Sequence, residues 1–147
     1  VNERQKRLYS GKKKRHTLKQ QGVVDKRTRK ILCTAGCNGK KHDWKLLLES
    51  GVRFPKGVFA LGDSGYQGLQ NISGSALIPH KGSKHNPLTQ AQKDYNHSLS
   101  SERVFVENVI GWLKRFRILA EKYRNRRRRF GLRFNLIAAI YNLELDA

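Results

Sequence analysis

The apolar segment Val58–Leu61 runs directly into an aspartate bracketed by small residues, in the stretch GVFALGDSGYQG over residues 57–68. A segment this short and this apolar is unsuited to a surface helix, so it predicts a buried strand that ends near Asp63. The Asp63 carboxylate has two interpretations. It serves a turn, because aspartate accepts backbone hydrogen bonds in tight turns, or it is a cation ligand at the end of a strand.

Strand and helix patterns alternate around this segment. A charged turn, DKRT, separates two stretches of apolar and β-branched residues and predicts a hairpin with strands near 16–24 and 30–35. Asp43 stands where a helix N-cap belongs and Gly51 where a helix stops, so a short helix is expected over about 43–50. The segment SALIPH is a weaker candidate strand.

The second half of the chain is predicted to be helical. Thr89 and Gln92 have the spacing of a capping box, and a long helix is expected over SSERVFVENVIGWLKRFRILAEKY. At about 100° per residue, one face of that helix carries an apolar stripe: Phe105, Val106, Val109, Leu113, Phe116 and Ala120. The segment LRFNLIAAIYNLEL has the composition of a closing helix.

These patterns predict an α/β or α+β layer with a mixed sheet. With 147 residues and 37% hydrophobic content, the chain supports one core and is too short for two independent ones. We therefore predict a single domain over 1–147, with a basic arm at 1–15, a sheet region with one helix at 16–80, and a helical region at 88–147.

The charge of the chain points to an anionic partner. Thirty-one Lys and Arg against eleven Asp and Glu leave +20, which favours nucleic acid. Cys33 and Cys37 are too few ligands for a structural zinc site, and no apolar run approaches the roughly 20 residues of a membrane span. Two cation clusters predict DNA phosphate contacts rather than only solvated charge; they are Lys12, Lys13, Lys14 and Arg15, and Arg126, Arg127, Arg128 and Arg129.

A second carboxylate lies on the long helix, where Arg103, Glu107 and Lys114 share one side. A carboxylate flanked by two cations is either a structural ion-pair ladder or a metal ligand with phosphate-binding neighbours. Paired with Asp63 in so basic a chain, Glu107 favours the metal-ligand interpretation. Mg²⁺ takes hard oxygen ligands, and two such ions stabilise the attacking and leaving oxygens of a phosphodiester exchange. Mg²⁺, or Mn²⁺ in its place, is therefore the expected cofactor.

Seven segments follow one another along the chain: YSGKKKRHTLKQQGVV, HDWKLLLESG, LGDSGYQG, IPHK, LTQAQKDYNHSLSSERVFVENVIGWLKRFRIL, YRNRRRRF and NLIAAIYNLEL. In this order they resemble the carboxyl-terminal part of bacterial insertion-sequence transposases of the DDE type, near the insertion-sequence-five group. The resemblance covers nearly the whole chain.

This resemblance implies a ribonuclease H-like catalytic domain in which two aspartates and a glutamate bind Mg²⁺. Asp63 matches the second aspartate and Glu107 the glutamate. Arg103 and Lys114 match the basic members of a Tyr-Arg-Glu-Lys signature that contacts DNA phosphates at the active site. The tyrosine of that signature falls at Ser100, so the match is incomplete there.

The family's first aspartate lies upstream of the YSGKKKRHT motif, and the only acid before Tyr9 is Glu3. We therefore expect the domain to lack its first strand and this chain alone to be inactive. Asp25 and Asp43 are the internal alternatives for the first acid. Turn chemistry explains Asp25 better, and a helix N-cap explains Asp43 better.

The function expected from the resemblance is DNA transposition, in which strands are cut and rejoined by Mg²⁺-dependent phosphoryl transfer. The partners would be double-stranded DNA of the transposon ends and of the target, with a homo-oligomer left open for the full-length form, in the bacterial cytoplasm at the nucleoid. The alternative is a non-catalytic, basic nucleic-acid-binding protein. Only a nuclease-like site requires the carboxylates of Asp63 and Glu107 to lie close together, roughly 4–8 Å apart for a two-metal site.

Overall fold

The computed structural model describes residues 9–10, 15–16, 18–121 and 127–147, with the backbone alone at 9–10, 15–16 and 127. The described residues form two units by their contacts, one from Val1–His42 and Phe105–Ala147 and one from Asp43–Val104. We call them unit 1 and unit 2. Both strands and helices are present, so the α/β prediction is confirmed at that level.

The described part of unit 1 contains two antiparallel strand pairs. Strands β1 (Tyr9–Ser10) and β2 (Arg15–His16) form a short pair. Strands β3 (Leu18–Val24) and β4 (Ile31–Asn38) form the longer one, with a register shift between Val23 and Val24. The predicted hairpin is therefore confirmed, with boundaries shifted by a few residues.

Helices complete unit 1. The closing helix, which we call α4 (Phe130–Leu145), packs on β4, and a 3₁₀ turn, Arg127–Arg129, precedes it. A short helix, α3 (Arg117–Ala120), lies earlier in the chain. The core of unit 1 consists of buried apolar side chains from these elements: Ile31, Val109, Leu113, Leu119, Phe130, Phe134, Ile137, Ala138 and Tyr141.

Unit 2 begins with helix α1 (Asp43–Glu49), close to the predicted range. Strand β5 (Phe59–Leu61) follows and pairs in parallel with β6 (Ser75–Leu77). Two 3₁₀ turns, Ser64–Tyr66 and Leu69–Asn71, lie between the two strands. The core of unit 2 is built on the buried side chains of Leu47, Ala60 and Leu69.

The predicted strand is confirmed over Phe59–Leu61, but the prediction that it is buried was wrong for most of its length. Ala60 is buried, whereas Val58 and Phe59 are exposed, at 43% and 70%. The strand is only three residues long, and among the described residues it pairs on one side alone, with β6. Alternate side chains of a strand point to opposite faces, so Ala60 enters the core while Phe59 points away from it.

The long helix, α2 (Gln90–Leu113), crosses from unit 2 into unit 1. Its predicted start is confirmed: the Gln92 N–H donates to the Thr89 hydroxyl at 3.3 Å and the Thr89 N–H to Gln92 Oε1 at 3.0 Å. Its predicted continuation beyond residue 113 was wrong. No helix in the described part of the chain combines the length and the apolar character that a membrane crossing requires.

The helix ends because its last turn tightens. Lys114 N–H still donates to Ile110 O, but Arg115 and Phe116 donate to acceptors only three residues back, Trp112 O and Leu113 O. Phe116 is then extended, with φ −80° and ψ 111°, and α3 begins after it. Ala120, which was predicted on the apolar stripe, is exposed. The helix breaks at Phe116, so the helical spacing that placed Ala120 on the stripe does not apply beyond that residue.

Candidate functional site

Asp63 lies just beyond the end of β5, where the chain turns back on itself. It precedes the first 3₁₀ turn as its N-cap, and its Oδ1 accepts the Gly65 N–H at 2.7 Å. The Tyr66 N–H donates to the Asp63 carbonyl at 3.1 Å. The turn interpretation of Asp63 is confirmed. Among the described residues, the hydrogen bond of the turn uses only Oδ1 of the carboxylate, so Oδ2 is available to a cation.

A glycine before Asp63 lets this turn close. Gly62 N–H donates to Leu77 O at 3.0 Å, which extends the β5–β6 pairing by one bond. A Cβ at Gly62 would lie 3.1 Å from Leu69 Cδ2 and 3.2 Å from Tyr66 Cβ. Both distances are tighter than ordinary packing, so glycine allows the Tyr66 side chain to pack over the strand end.

The structure brings a second carboxylate to this turn. Asp43 is the first residue of α1, and an ideal Cβ at Gly65 would lie 3.1 Å from Asp43 Oδ2 and 2.9 Å from Asp63 Oδ1. Asp43 Oδ2 and Asp63 Oδ1 both lie near the same Cβ position, so the distance between these two oxygens cannot exceed the sum of their distances to it. Asp43 and Asp63 therefore converge on Gly65 from α1 and from the end of β5.

The pKa of the Tyr66 hydroxyl depends on the charges of Asp43 and Asp63. Burial, and then the negative charges of Asp43 and Asp63, raise the pKa of the Tyr66 hydroxyl well above its ordinary value, while Arg103 opposes the shift. Its ring packs against the core of unit 2. Tyr66 therefore stays protonated at neutral pH, and as a phenol it can donate a hydrogen bond. Arg103 is therefore close enough to the Tyr66 hydroxyl to act on it electrostatically.

The predicted residues of α2 have different surroundings. Arg103 is half-buried, and Glu107 and Lys114 are exposed; Lys114 lies one residue beyond the helix end. In the part of the chain that the structure describes, Glu107 forms no salt bridge with Arg103 or Lys114, which disfavours an ion-pair ladder. Asp63 belongs to unit 2 and Glu107 to unit 1, so their proximity stays a prediction.

The two basic clusters fall largely outside the described residues. Lys12, Lys13, Lys14 and Arg126 are not among them, and Arg15 and Arg127 are described by their backbone alone. Arg128 and Arg129 are exposed at the entrance to α4. Their contacts with DNA stay a prediction.

Asp25, the other internal alternative for the first acid, serves the β3–β4 turn. Its carboxylate accepts the Arg27 N–H at 3.0 Å and the Thr28 hydroxyl at 2.7 Å, and these hydrogen bonds hold the pKa of Asp25 below its usual value. Cys33 and Cys37, the two cysteines of the chain, do not form a disulfide. Among the described residues, no group of three or more His, Cys, Asp or Glu side chains could hold a metal ion.

Comparison with known proteins assigns the chain to a class of endonucleases. A family model for the DDE superfamily endonucleases matches residues 1–142, so the chain belongs to that family. It is also 46% identical over 141 residues to a probable transposase for insertion sequence element IS702 from Microchaete diplosiphon. This similarity covers 96% of the chain and 51% of the relative, so the chain spans about half of that protein's length. No solved structure matches the chain.

Sequence reasoning singled out Asp63 but did not predict that Asp43 and Tyr66 lie close to it. Asp43 had a sufficient local explanation as a helix N-cap, and Tyr66 was assigned to packing. The available signal was Gly65, because a glycine two residues after a candidate ligand also marks a place where other groups approach the backbone closely. Which group approaches is a tertiary property, since Asp43 is far from Gly65 along the chain.

Proposed function

We propose that this chain is the part of a DNA transposase that supplies Asp63 and Glu107 to a phosphoryl-transfer site. The single observation that carries the proposal is Asp63: a half-buried carboxylate at a strand end, with one oxygen held by Gly65 and the other available. Membership of the DDE superfamily and similarity to a probable transposase support it.

The donor set at Asp63 suits a hard divalent cation, and endonucleases of this superfamily generally use divalent metal ions. We propose Mg²⁺, with Mn²⁺ as a substitute. When bound, such an ion stabilises charge on the attacking and leaving oxygens and lowers the pKa of a water nucleophile. Asp63 and Glu107 are the residues that would hold it, and the Asp63 turn presents Oδ2 in a fixed orientation because Oδ1 is tied to Gly65.

The cations near these carboxylates have separate roles in this proposal. Lys114 is exposed and can contact a DNA phosphate as a point charge. Arg103 is half-buried and opposes the effect of Asp43 and Asp63 on the pKa of Tyr66. In this proposal it also contacts a DNA phosphate. Double-stranded DNA of the element ends and of the target is the proposed substrate.

A ribonuclease H-like fold is proposed for the complete domain. Such a sheet contains both antiparallel and parallel pairings, and the chain forms one of each in separate two-stranded sheets, β3–β4 and β5–β6. We also propose that the 147-residue chain does not cleave DNA by itself, because the resemblance assigns a further metal-binding aspartate to a segment upstream of Tyr9.

The test compares two proteins in a cleavage assay with Mg²⁺ and DNA carrying the element ends. The 147-residue chain should bind DNA without cutting it, and a longer form with the upstream aspartate should cut. In the longer form, Asp63→Asn and Glu107→Gln should each abolish cutting while DNA affinity stays equal or rises, since a negative charge near phosphate is removed.

The matched control is Asp94→Asn, which makes the same charge change at an exposed residue of α2 and should leave cutting intact. Full activity in Asp63→Asn or Glu107→Gln would contradict the proposed site. DNA binding with no cutting by either form would instead favour the non-catalytic, basic nucleic-acid-binding protein.

A further inference from the structure

Helix α4 carries two apolar faces, and only one of them is buried. The buried face belongs to the core of unit 1. Four further apolar side chains of the helix are exposed, and their spacing places them together on another side: Leu132, Leu136, Ala139 and Leu143. We call this set the α4 stripe. Its three leucines are 69%, 60% and 70% exposed.

Single exposed leucines are common on protein surfaces, but a helical stripe of them is a different feature. A helix that packs against a single core has one apolar stripe, so a second stripe indicates a second contact. The α4 stripe alternates steps of four and three residues, which is the spacing at which one helix packs along another. The surface therefore suits a helix as its partner.

The α4 stripe complements itself under a two-fold rotation. If two copies of α4 pack antiparallel, with the axis level with residues 137–138, Leu132 of one copy faces Leu143 of the other. Leu136 of each copy then faces Ala139 of the other. A large side chain meets a small one at the centre, which is the alternation that lets two helix surfaces interdigitate. An interface formed by the same surface on both copies is the usual geometry of a dimer.

The charged ends of α4 fit the same arrangement. The helix has Arg129 at its N-cap and Asp146 at its C-cap, so each end carries the charge opposite to the one that the helix macrodipole favours. In the antiparallel pair, Arg129 of each copy lies level with Asp146 of the other. Lys30 already contacts Asp146 Oδ2 at 2.7 Å, so a bond to Arg129 would use Oδ1. Exposed ion pairs contribute little free energy, so these charges select the direction of packing rather than its strength.

We propose that the α4 stripe docks a second copy of this chain, in a two-fold dimer in which α4 packs antiparallel on α4. The helix has 16 residues and is therefore about 24 Å long and about 10 Å wide. One face of that size is smaller than the roughly 800 Å² per partner of a standard interface, so the dimer is weak. The charge of +20 on each copy opposes association, and salt screens that repulsion.

The experiment is sedimentation equilibrium of the 147-residue chain without DNA or metal, from about 1 µM to about 1 mM protein, a range that covers weak dimers. The weight-average mass should rise with concentration from 16.9 kDa towards twice that value. The rise should be larger in about 1 M salt than in about 0.15 M, because the Debye length shortens from about 8 Å to about 3 Å. A chain that is monomeric at every concentration and in both salts overturns the proposal.

The first variant tests the stripe itself. Leu136→Gln should weaken association by about tenfold or more, because each dimer loses two apolar contacts at its centre. The control is Leu145→Gln, the same substitution in the same helix on the side opposite Leu136. If Leu136→Gln lowers the thermal midpoint more than the control does, Leu132→Gln replaces it. Association of the stripe variant as strong as that of the control overturns the proposal.

The second variant tests the direction of packing. Arg129→Glu places an acid beside Asp146 of the other copy, so it should weaken association. Lys93→Glu makes the same charge change at an exposed residue of α2, and it should strengthen association because it only reduces the net charge. If both variants strengthen association equally, the antiparallel arrangement is overturned.

A longer form of the protein that includes the upstream segment tests the other possible occupant of the stripe. It should dimerise as the 147-residue chain does, and it should lose the dimer with Leu136→Gln. If the longer form is monomeric under the same conditions, the rest of the protein covers the stripe and the proposal fails. None of these measurements involves Asp63, Glu107 or a metal ion, so they leave the proposed function unaffected.

Discussion

Tyr66 shows how one side chain can connect the core of unit 2 to the candidate site. Its ring packs against that core, and its hydroxyl lies in the field of two carboxylates and one guanidinium. Both burial and the carboxylates disfavour the phenolate. The folded protein therefore retains the Tyr66 proton at a pH where the unfolded chain releases it.

We expect this difference to make folding stability sensitive to alkaline pH. Because the folded-state pKa of Tyr66 is raised above its ordinary value of 10.0, its contribution is complete below about pH 10 and is lost as pH rises further. Tyr66→Phe keeps the ring and removes the ionisable hydroxyl, so its thermal midpoint should fall less than that of wild type between about pH 8 and pH 11. Tyr95→Phe, at an exposed tyrosine of α2, should follow wild type. A Tyr66→Phe curve parallel to wild type would contradict the prediction.

At the scale of elements, a side chain of α4 completes the backbone hydrogen bonding of β4. Asn142 Oδ1 accepts the Ile31 N–H at 2.8 Å, and Asn142 Nδ2–H donates to Ile31 O at 2.9 Å. Ile31 is itself buried, at 6% exposure. The asparagine amide therefore satisfies both polar groups of one buried backbone residue and fixes where α4 lies along β4.

Asn142→Ala should lower the free energy of unfolding by about 1–3 kcal/mol, because it leaves a buried N–H and a buried C=O without their partner. Asn108→Ala is the control, since it makes the same substitution at an exposed position of α2 and gains the same helix propensity. Urea denaturation followed by circular dichroism measures both. Equal midpoints for the two variants would show that water replaces the Asn142 amide at no cost.

The element boundaries show how far pattern reasoning reaches. The hairpin, α1, α4 and the capping box at Thr89 were all predictable, because turn residues, caps and apolar spacing act over a few neighbours. The end of α2 was not. Phe116 continues the apolar spacing of the helix, yet the N–H groups of Arg115 and Phe116 bond three residues back rather than four. The ring centroids of Phe116 and Trp112 lie 5.4 Å apart.

At the scale of the whole molecule, we expect the charge of +20 to dominate the DNA binding that the proposed function requires. Each phosphate that a cation neutralises releases counterions, so affinity falls steeply with salt. Arg126, Arg127, Arg128 and Arg129 form a run of four consecutive cations, so the effect of one dense cluster can be tested separately from that of the total charge.

We expect weaker salt dependence of duplex DNA binding when four arginines are changed together to alanine: Arg126, Arg127, Arg128 and Arg129. The slope of the logarithm of affinity against the logarithm of salt concentration should become less steep by up to about 0.9 for each phosphate that the variant no longer neutralises. The matched control removes four exposed cations of unit 2: Arg53, Lys56, Lys81 and Lys84. Fluorescence anisotropy titrations across a salt series measure both slopes. If the arginine variant keeps the wild-type slope, the cluster is solvated charge; if the control flattens the slope equally, the effect is one of net charge.

The sequence by itself determined the family, the basic character of the chain, most of its helices and strands, and Asp63 as the acid at a strand end. Each of these depends on residue identity or on neighbours along the chain. Only the tertiary structure decided that Asp43 approaches Asp63 across Gly65 and that Tyr66 and Arg103 share their field. Those facts depend on how α1 packs against the turn after β5, and packing between segments distant along the chain leaves no periodic trace in the sequence.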